Sequence, residues 1–167
     1  MKKYPVIAGV VMAVGLALAT GAVVAGGKAG SIERGRYLVS TSGCNDCHTE
    51  GYPQSGGTVP ASEWLTGSQV GFSGPWGTTY PVNLRLLVQS MSEEQWLHAA
   101  RREMRPPMPW FSLRDMSDDD LKAVYAFIRS LGAQGAKAPE YVPPGQVVST
   151  PYIDFVPKNL PNRQAAR

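Results

Sequence analysis

The sequence predicts an all-α domain of three to five helices, joined by long Gly/Pro-rich loops and followed by an extended C-terminal tail. Helical patterns with clear start signals occur at three places, whereas residues 49–90 carry bulky side chains at irregular spacing among Gly, Pro, Ser and Thr. No alternation of apolar and polar residues persists there that would indicate strands. A loop of this length in a small domain requires something central to organise it, and a large apolar cofactor would do so.

The N-terminal stretch is typical of an export signal. Between Lys3 and Lys28 no residue is charged, and the run ends in small residues with a plausible cleavage point after Ala25. Residues 4–27 are also long enough to cross a bilayer, which needs about 20 residues. We therefore assign residues 1–27 to a signal peptide or an N-terminal membrane anchor, and both alternatives predict a periplasmic domain, free or attached to the inner membrane.

The first helix is predicted over residues 31–48. Ser31 can cap it, Glu33 lies in its first turn, and Ile32, Leu38 and Val39 share a face with Gly35. This helix would run directly into the cysteine motif discussed below.

Two further helices begin with the same pattern, and a short helix is predicted near residues 83–90. Ser92 precedes Gln95 by three residues, and Ser117 precedes Asp120 in the same way, so both starts fit a capping box. A methionine before each cap is expected to pack on the residue at the fourth helical position, in the pairs Met91 with Trp96 and Met116 with Leu121. The last helix ends at Gly132.

We assign residues 28–135 to the folded domain and residues 136–167 to a Pro-rich tail. The tail carries too many apolar residues for a simple disordered linker, and we expect it to run along the domain surface or to dock a partner. Without Lys2 and Lys3, 14 of the 16 basic residues remain against 13 acidic ones. No basic stripe is visible, so nucleic acid is not an expected partner.

Both cysteines and one of the two histidines lie in "SGCNDCHTEG", residues 42–51. A structural zinc site needs four ligands, and a thioredoxin-type switch needs a βαβ setting that this pattern lacks. A disulfide between residues three apart would stabilise little, because it closes a very small loop. Cys-x-x-Cys-His is instead the attachment signature of haem c, in which Cys44 and Cys47 form thioethers and His48 binds iron.

The sixth iron ligand is predicted to be Met108. Met1 and Met12 lie in the leader, Met91 and Met116 are assigned to helix starts, and Met108 lies in the proline-stiffened loop "RPPMPW" with no evident packing role. The remaining alternatives are Met104, His98 and an open site. His98 falls on the polar side of its helix, where a solvated histidine is expected.

Over about residues 31–132 the chain resembles a class I c-type cytochrome. Two shorter segments, "GFSGPWGTTYPVNL" and "RPPMPW", are similar to segments of cytochrome subunits of membrane-bound dehydrogenases. The resemblance implies the cytochrome c fold, one covalent haem c, and His/Met ligation by His48 and Met108. It also implies crossed first and last helices, in contact through Gly35 and either Tyr125 or Phe127.

The expected function is single-electron transfer to and from redox partners such as a dehydrogenase or terminal oxidase, without catalysis by the chain itself. One alternative is a fixed haem subunit of a larger dehydrogenase or oxidase complex. Another is a haem enzyme or gas sensor with an exchangeable sixth ligand. Around the haem we expect a set of aromatic residues: Trp64, Trp76, Tyr80, Trp96 and Trp110. Trp76 or Arg85 could bind a propionate, and Arg101, Arg102 and Arg105 could form a docking patch.

Overall fold

The computed structural model describes residues 26–159, with side chains described from residue 31. Most of the predicted leader and residues 160–167 of the tail lie outside this range. The helices are α1 (Gly26–Thr41), α2 (Cys44–His48), α3 (Leu84–Gln89), α4 (Glu93–Ala100), α5 (Trp110–Asp115) and α6 (Asp118–Ser130). The strands are β1 (Gly71–Gly74), β2 (Gly77–Thr79) and β3 (Tyr152–Asp154), and a 3₁₀ turn spans Ala61–Glu63. No helix within residues 26–159 is long and apolar enough to cross a membrane.

The main core forms where α1 and α6 pack against each other. Val39 from α1 and Val124, Phe127 and Ile128 from α6 are buried together. The two helices approach so closely at Gly35 that an added Cβ would lie 2.0 Å from the Ala123 carbonyl oxygen and 2.8 Å from the Phe127 Cβ. Of the two aromatic residues implied by the resemblance, Phe127 is therefore the one at the crossing.

The prediction of one helix over residues 31–48 is wrong in its boundaries. The helix extends back to Gly26, so Ser31 is an internal residue, and it ends at Thr41. Gly43 adopts a left-handed conformation with φ 74° and separates α1 from α2. The cysteine motif therefore forms a separate short helix and is not the end of α1.

Ser92 and Ser117 are both confirmed as N-caps, but only Ser92 forms the complete capping box that was predicted at both helix starts. The Ser92 side chain accepts from the Gln95 backbone N–H, and Gln95 returns the bond to the Ser92 N–H, which completes a capping box. Ser117 accepts from the backbone N–H of Asp120 at the start of α6. α4 ends at Ala100, and α5, which follows the methionine loop, was not predicted.

The fold is mainly helical, but it also contains a three-stranded sheet in the order β2-β1-β3 that the all-α prediction did not include. β1 and β2 form an antiparallel hairpin, and β3 from the tail pairs in parallel with β1. The C-terminal tail therefore lies along the domain surface up to residue 159. The strands have three or four residues each, which is too short for an alternating pattern to stand out in the sequence.

Candidate functional site

His48 is the best-positioned metal ligand in the described part of the chain. It ends α2, its side chain is buried, and its Nδ1 lies 2.8 Å from the carbonyl oxygen of Val82. Because a carbonyl only accepts, Nδ1 carries the proton and Nε2 keeps the lone pair that a metal requires. Burial lowers the pKa of His48, while the bond to Val82 acts in the opposite direction. The structure thus presents a neutral imidazole with a fixed ring orientation.

Cys44 and Cys47 lie one helical turn apart on α2, and both are free thiols. Burial raises the pKa of Cys44 to about 11, and burial also raises the pKa of Cys47, with a further contribution from Asp46. Reactive redox cysteines show the opposite shift, because the thiolate is the attacking species. The thiol-switch alternative therefore has no electrostatic support at this site. Residues 26–159 contain no cluster of three or more His, Cys, Asp or Glu side chains able to hold a metal by themselves.

A buried polar pair that the sequence analysis did not identify holds α2 in place. Thr49 donates its hydroxyl to Asn45 Oδ1 at 2.7 Å and accepts from the Leu65 backbone N–H at 2.8 Å. In addition, the His48 carbonyl accepts from the Gly67 N–H at 2.8 Å. These bonds tie the motif to residues 65–67. The sequence carries no signal for the bonds to Leu65 and Gly67, since their partners are 16 or more residues apart.

The methionine loop is held by hydrogen bonds on both sides of Met108. Its backbone N–H donates to the Arg105 carbonyl at 3.3 Å, and its carbonyl accepts from the Trp110 N–H at 2.9 Å. The Thr79 hydroxyl donates to the Pro106 carbonyl at 2.8 Å and connects the loop to β2.

The expectation that Met108 has no packing role is wrong. Met108 packs, half-buried, against the cluster of Ala100, Leu113 and Leu121, and Met104 and Met116 contact the same cluster. Packing alone therefore does not separate Met108 from Met104. His98 is exposed on α4, as the sequence predicts for a solvated histidine.

Three of the tryptophans expected around the haem differ in whether their indole N–H groups have a hydrogen-bond partner. Trp64 and Trp96 are core residues, and their indole N–H groups donate to the carbonyls of Val59 and Leu121. The Trp76 indole nitrogen is buried without a hydrogen-bond partner within the described residues. A buried donor of this kind requires an acceptor, and a propionate carboxylate would satisfy it.

Arg85 does not fit the expectation of a propionate ligand. It is buried, and its guanidinium donates to the carbonyls of Ser62, Leu131 and Gly132. Two of these bonds satisfy the carbonyls of Leu131 and Gly132 directly after α6, where a helix end leaves such groups unpaired, and the third joins them to the 3₁₀ turn at Ser62. Arg85 is thus a structural residue.

Two of the three arginines predicted to form a docking patch are instead held by contacts within the domain. Arg101 donates to the carbonyls of Leu113, Arg114 and Met116 and forms an ion pair with Asp118. Arg105 stacks on Tyr141. Of the three arginines, only Arg102 is without such a contact in the described part of the chain.

A helical domain whose buried histidine directly follows two free cysteines defines a site for covalently attached haem. The comparison with protein families agrees: the cytochrome c model matches residues 32–132, and the chain belongs to the cytochrome c family. This family consists of electron-transfer proteins, and a Cys-x-x-Cys-His motif in such a domain carries one covalent haem c. The free thiols, the oriented His48 ring and the unpartnered Trp76 donor all fit this group.

Two curated relatives are distantly similar. The chain is 29% identical over 109 residues to the fructose dehydrogenase cytochrome subunit of Gluconobacter japonicus, across 59% of this chain and 21% of that protein. It is 31% identical over 109 residues to the cytochrome c subunit of alcohol dehydrogenase (quinone) of Gluconobacter oxydans, across 58% of this chain and 20% of that protein. The chain thus spans about a fifth of the length of these relatives. No solved structure matches it significantly.

Proposed function

We propose that this chain is a monohaem cytochrome with His/Met ligation that carries single electrons between exported or membrane-bound redox partners. In this proposal Cys44 and Cys47 would form the thioethers to the haem, and His48 and Met108 would bind its iron. The observation that carries it is the orientation of His48 by the Val82 carbonyl, which leaves Nε2 for iron.

When bound, the haem supplies a one-electron couple whose potential is set by its axial ligands. The Val82 carbonyl keeps the His48 ring from rotating and fixes its tautomer. The bonds of the methionine loop to Arg105, Trp110 and Thr79 keep the neutral thioether of Met108 in position. If His48 and Met108 both bound the iron, a substrate would have no route to the metal, and the site would support outer-sphere electron transfer.

The test compares Met108→Ala with the matched control Met104→Ala, which changes a methionine packed on the same cluster. In the oxidised protein, Met108→Ala is expected to abolish the near-infrared sulfur-to-iron band and to lower the potential. Met104→Ala is expected to retain the band. The ligand assignment is wrong if Met108→Ala keeps the band. A wild-type protein that lacks the band and binds cyanide readily would instead favour a haem enzyme or gas sensor.

A second candidate is a fixed haem subunit of a larger dehydrogenase or oxidase. The similarity to two proteins named as cytochrome subunits of dehydrogenases favours this candidate. Purification under mild detergent distinguishes the two: a stoichiometric complex with a dehydrogenase or oxidase supports the subunit, and a monomeric haem protein supports the shuttle.

Export also belongs to the proposal, together with a leader at residues 1–27, a haem domain at 28–135 and a tail at 136–167. Cell fractionation followed by N-terminal sequencing of the mature haem protein tests it. A periplasmic protein beginning near residue 26 indicates cleavage, whereas a membrane-bound protein with an intact N-terminus indicates an anchor. Haem protein in the cytoplasm would contradict export.

A further inference from the structure

The C-terminal tail contacts the methionine loop where the Tyr141 ring lies against the Arg105 side chain. The guanidinium carbon of Arg105 lies 4.1 Å from the centroid of the Tyr141 ring, which is a close cation–π contact. From this contact we propose that Tyr141 is a positioning residue that keeps Met108 in place for iron. This inference rests on the ligand assignment of the proposed function.

Tyr141 is itself firmly attached to the β1–β2 hairpin. Its hydroxyl donates to the Trp76 carbonyl at 2.7 Å. The next residue, Val142, exchanges two backbone hydrogen bonds with Thr78, of 2.8 and 3.0 Å. At Gly77 the approach is so close that an added Cβ would lie 2.4 Å from the Val142 carbonyl oxygen. The ring that stacks on Arg105 therefore has a defined position.

The contact is transmitted to Met108 through the backbone of Arg105. The Arg105 carbonyl accepts the Met108 N–H, so these two residues enclose a tight turn. Holding the Arg105 side chain holds one end of this turn, while the Thr79 bond to Pro106 holds its middle. The tail and the hairpin thus restrain the methionine loop at two neighbouring points.

Loss of one restraint should increase the fraction of molecules in which the thioether has left the iron. An external ligand binds only this open fraction, so its apparent affinity rises in proportion to it. A cation–π contact of this exposure corresponds to a change of about two- to fivefold. The apparent affinity should rise although the protein forms no new contact with the external ligand.

Imidazole is a suitable probe, titrated into the oxidised full-length holoprotein while the sulfur-to-iron band is followed. Tyr141→Leu is expected to bind imidazole about two- to fivefold more tightly than wild type. Tyr141→Phe keeps the ring and loses the bond to Trp76, so its effect should be smaller. Arg105→Gln should match Tyr141→Leu, and the double variant should show no additional effect.

Thr150→Val is the matched control in the tail, because it removes the hydrogen bond of Thr150 with Tyr80, and within residues 26–159 Thr150 has no hydrogen bond to the methionine loop. It should leave the imidazole affinity unchanged. Equal affinities for wild type and Tyr141→Leu, or an equal rise in Thr150→Val, would overturn the inference. The ligand assignment fails separately, if Met108→Ala retains the band.

Discussion

Replacing Gly35 with alanine tests the crossing of α1 and α6. The added Cβ would lie 2.0 Å from the Ala123 carbonyl oxygen, whereas ordinary van der Waals contact begins at 3.4 Å. A flexible side chain could rotate away, but the obstacle here is the backbone of α6. The helices must therefore separate, and the core between them loses contacts.

The expected loss in the free energy of unfolding of Gly35→Ala is the sum of opposing contributions. Overpacking costs about 1–3 kcal/mol, and the upper end applies because the clash is with backbone. Separation of the helices weakens the packing of Val39 and Ile128, which are fully buried, and adds to this cost. Alanine recovers about 1 kcal/mol through its better helix propensity. We expect a net loss of about 3 kcal/mol in the free energy of unfolding.

Urea unfolding of the holoprotein measures this loss, and the midpoint should fall by roughly 1–3 M for ordinary denaturant slopes. Gly132→Ala is the matched control: Gly132 has φ 72° and nothing within 4 Å of an added Cβ. It should lose only about 1 kcal/mol, the cost of a left-handed alanine. If Gly35→Ala is no less stable than Gly132→Ala, the close approach of the helices is wrong.

Two further predictions concern charged side chains. Arg85→Met removes the donors of three backbone carbonyls from a buried site and should cost about 3 kcal/mol in urea unfolding, against a smaller loss for Arg85→Lys. An unchanged midpoint would contradict the structural role of Arg85. The hydrogen bond from Arg34 lowers the pKa of Asp120, so its carboxylate stabilises the fold above about pH 4 and loses this effect as the pH falls further. Asp120→Asn should therefore be less stable than wild type at pH 7, and the difference should shrink below pH 4; a constant difference would contradict the ion pair.

The starts of α4 and α6 could be predicted because their signals are local. Ser92 and Gln95 lie within one turn, and their reciprocal bonds depend on little else than the backbone between them. The left-handed Gly43 was not predicted, because a glycine between two helical patterns permits a break without requiring one. β3 was not predicted either, because its pairing with β1 joins residues about 80 positions apart and no local pattern indicates which distant segments pair.

By itself, the sequence determined the haem-attachment motif, the mainly helical class and the starts of α4 and α6, since each depends on residue type and short spacing. The tertiary structure decided which polar groups are already satisfied. It assigned Arg85 and Arg101 to backbone carbonyls, left the Trp76 indole N–H without a partner among the described residues, and placed Tyr141 on Arg105. These outcomes depend on groups far apart in the chain, and only the folded backbone determines which of them meet.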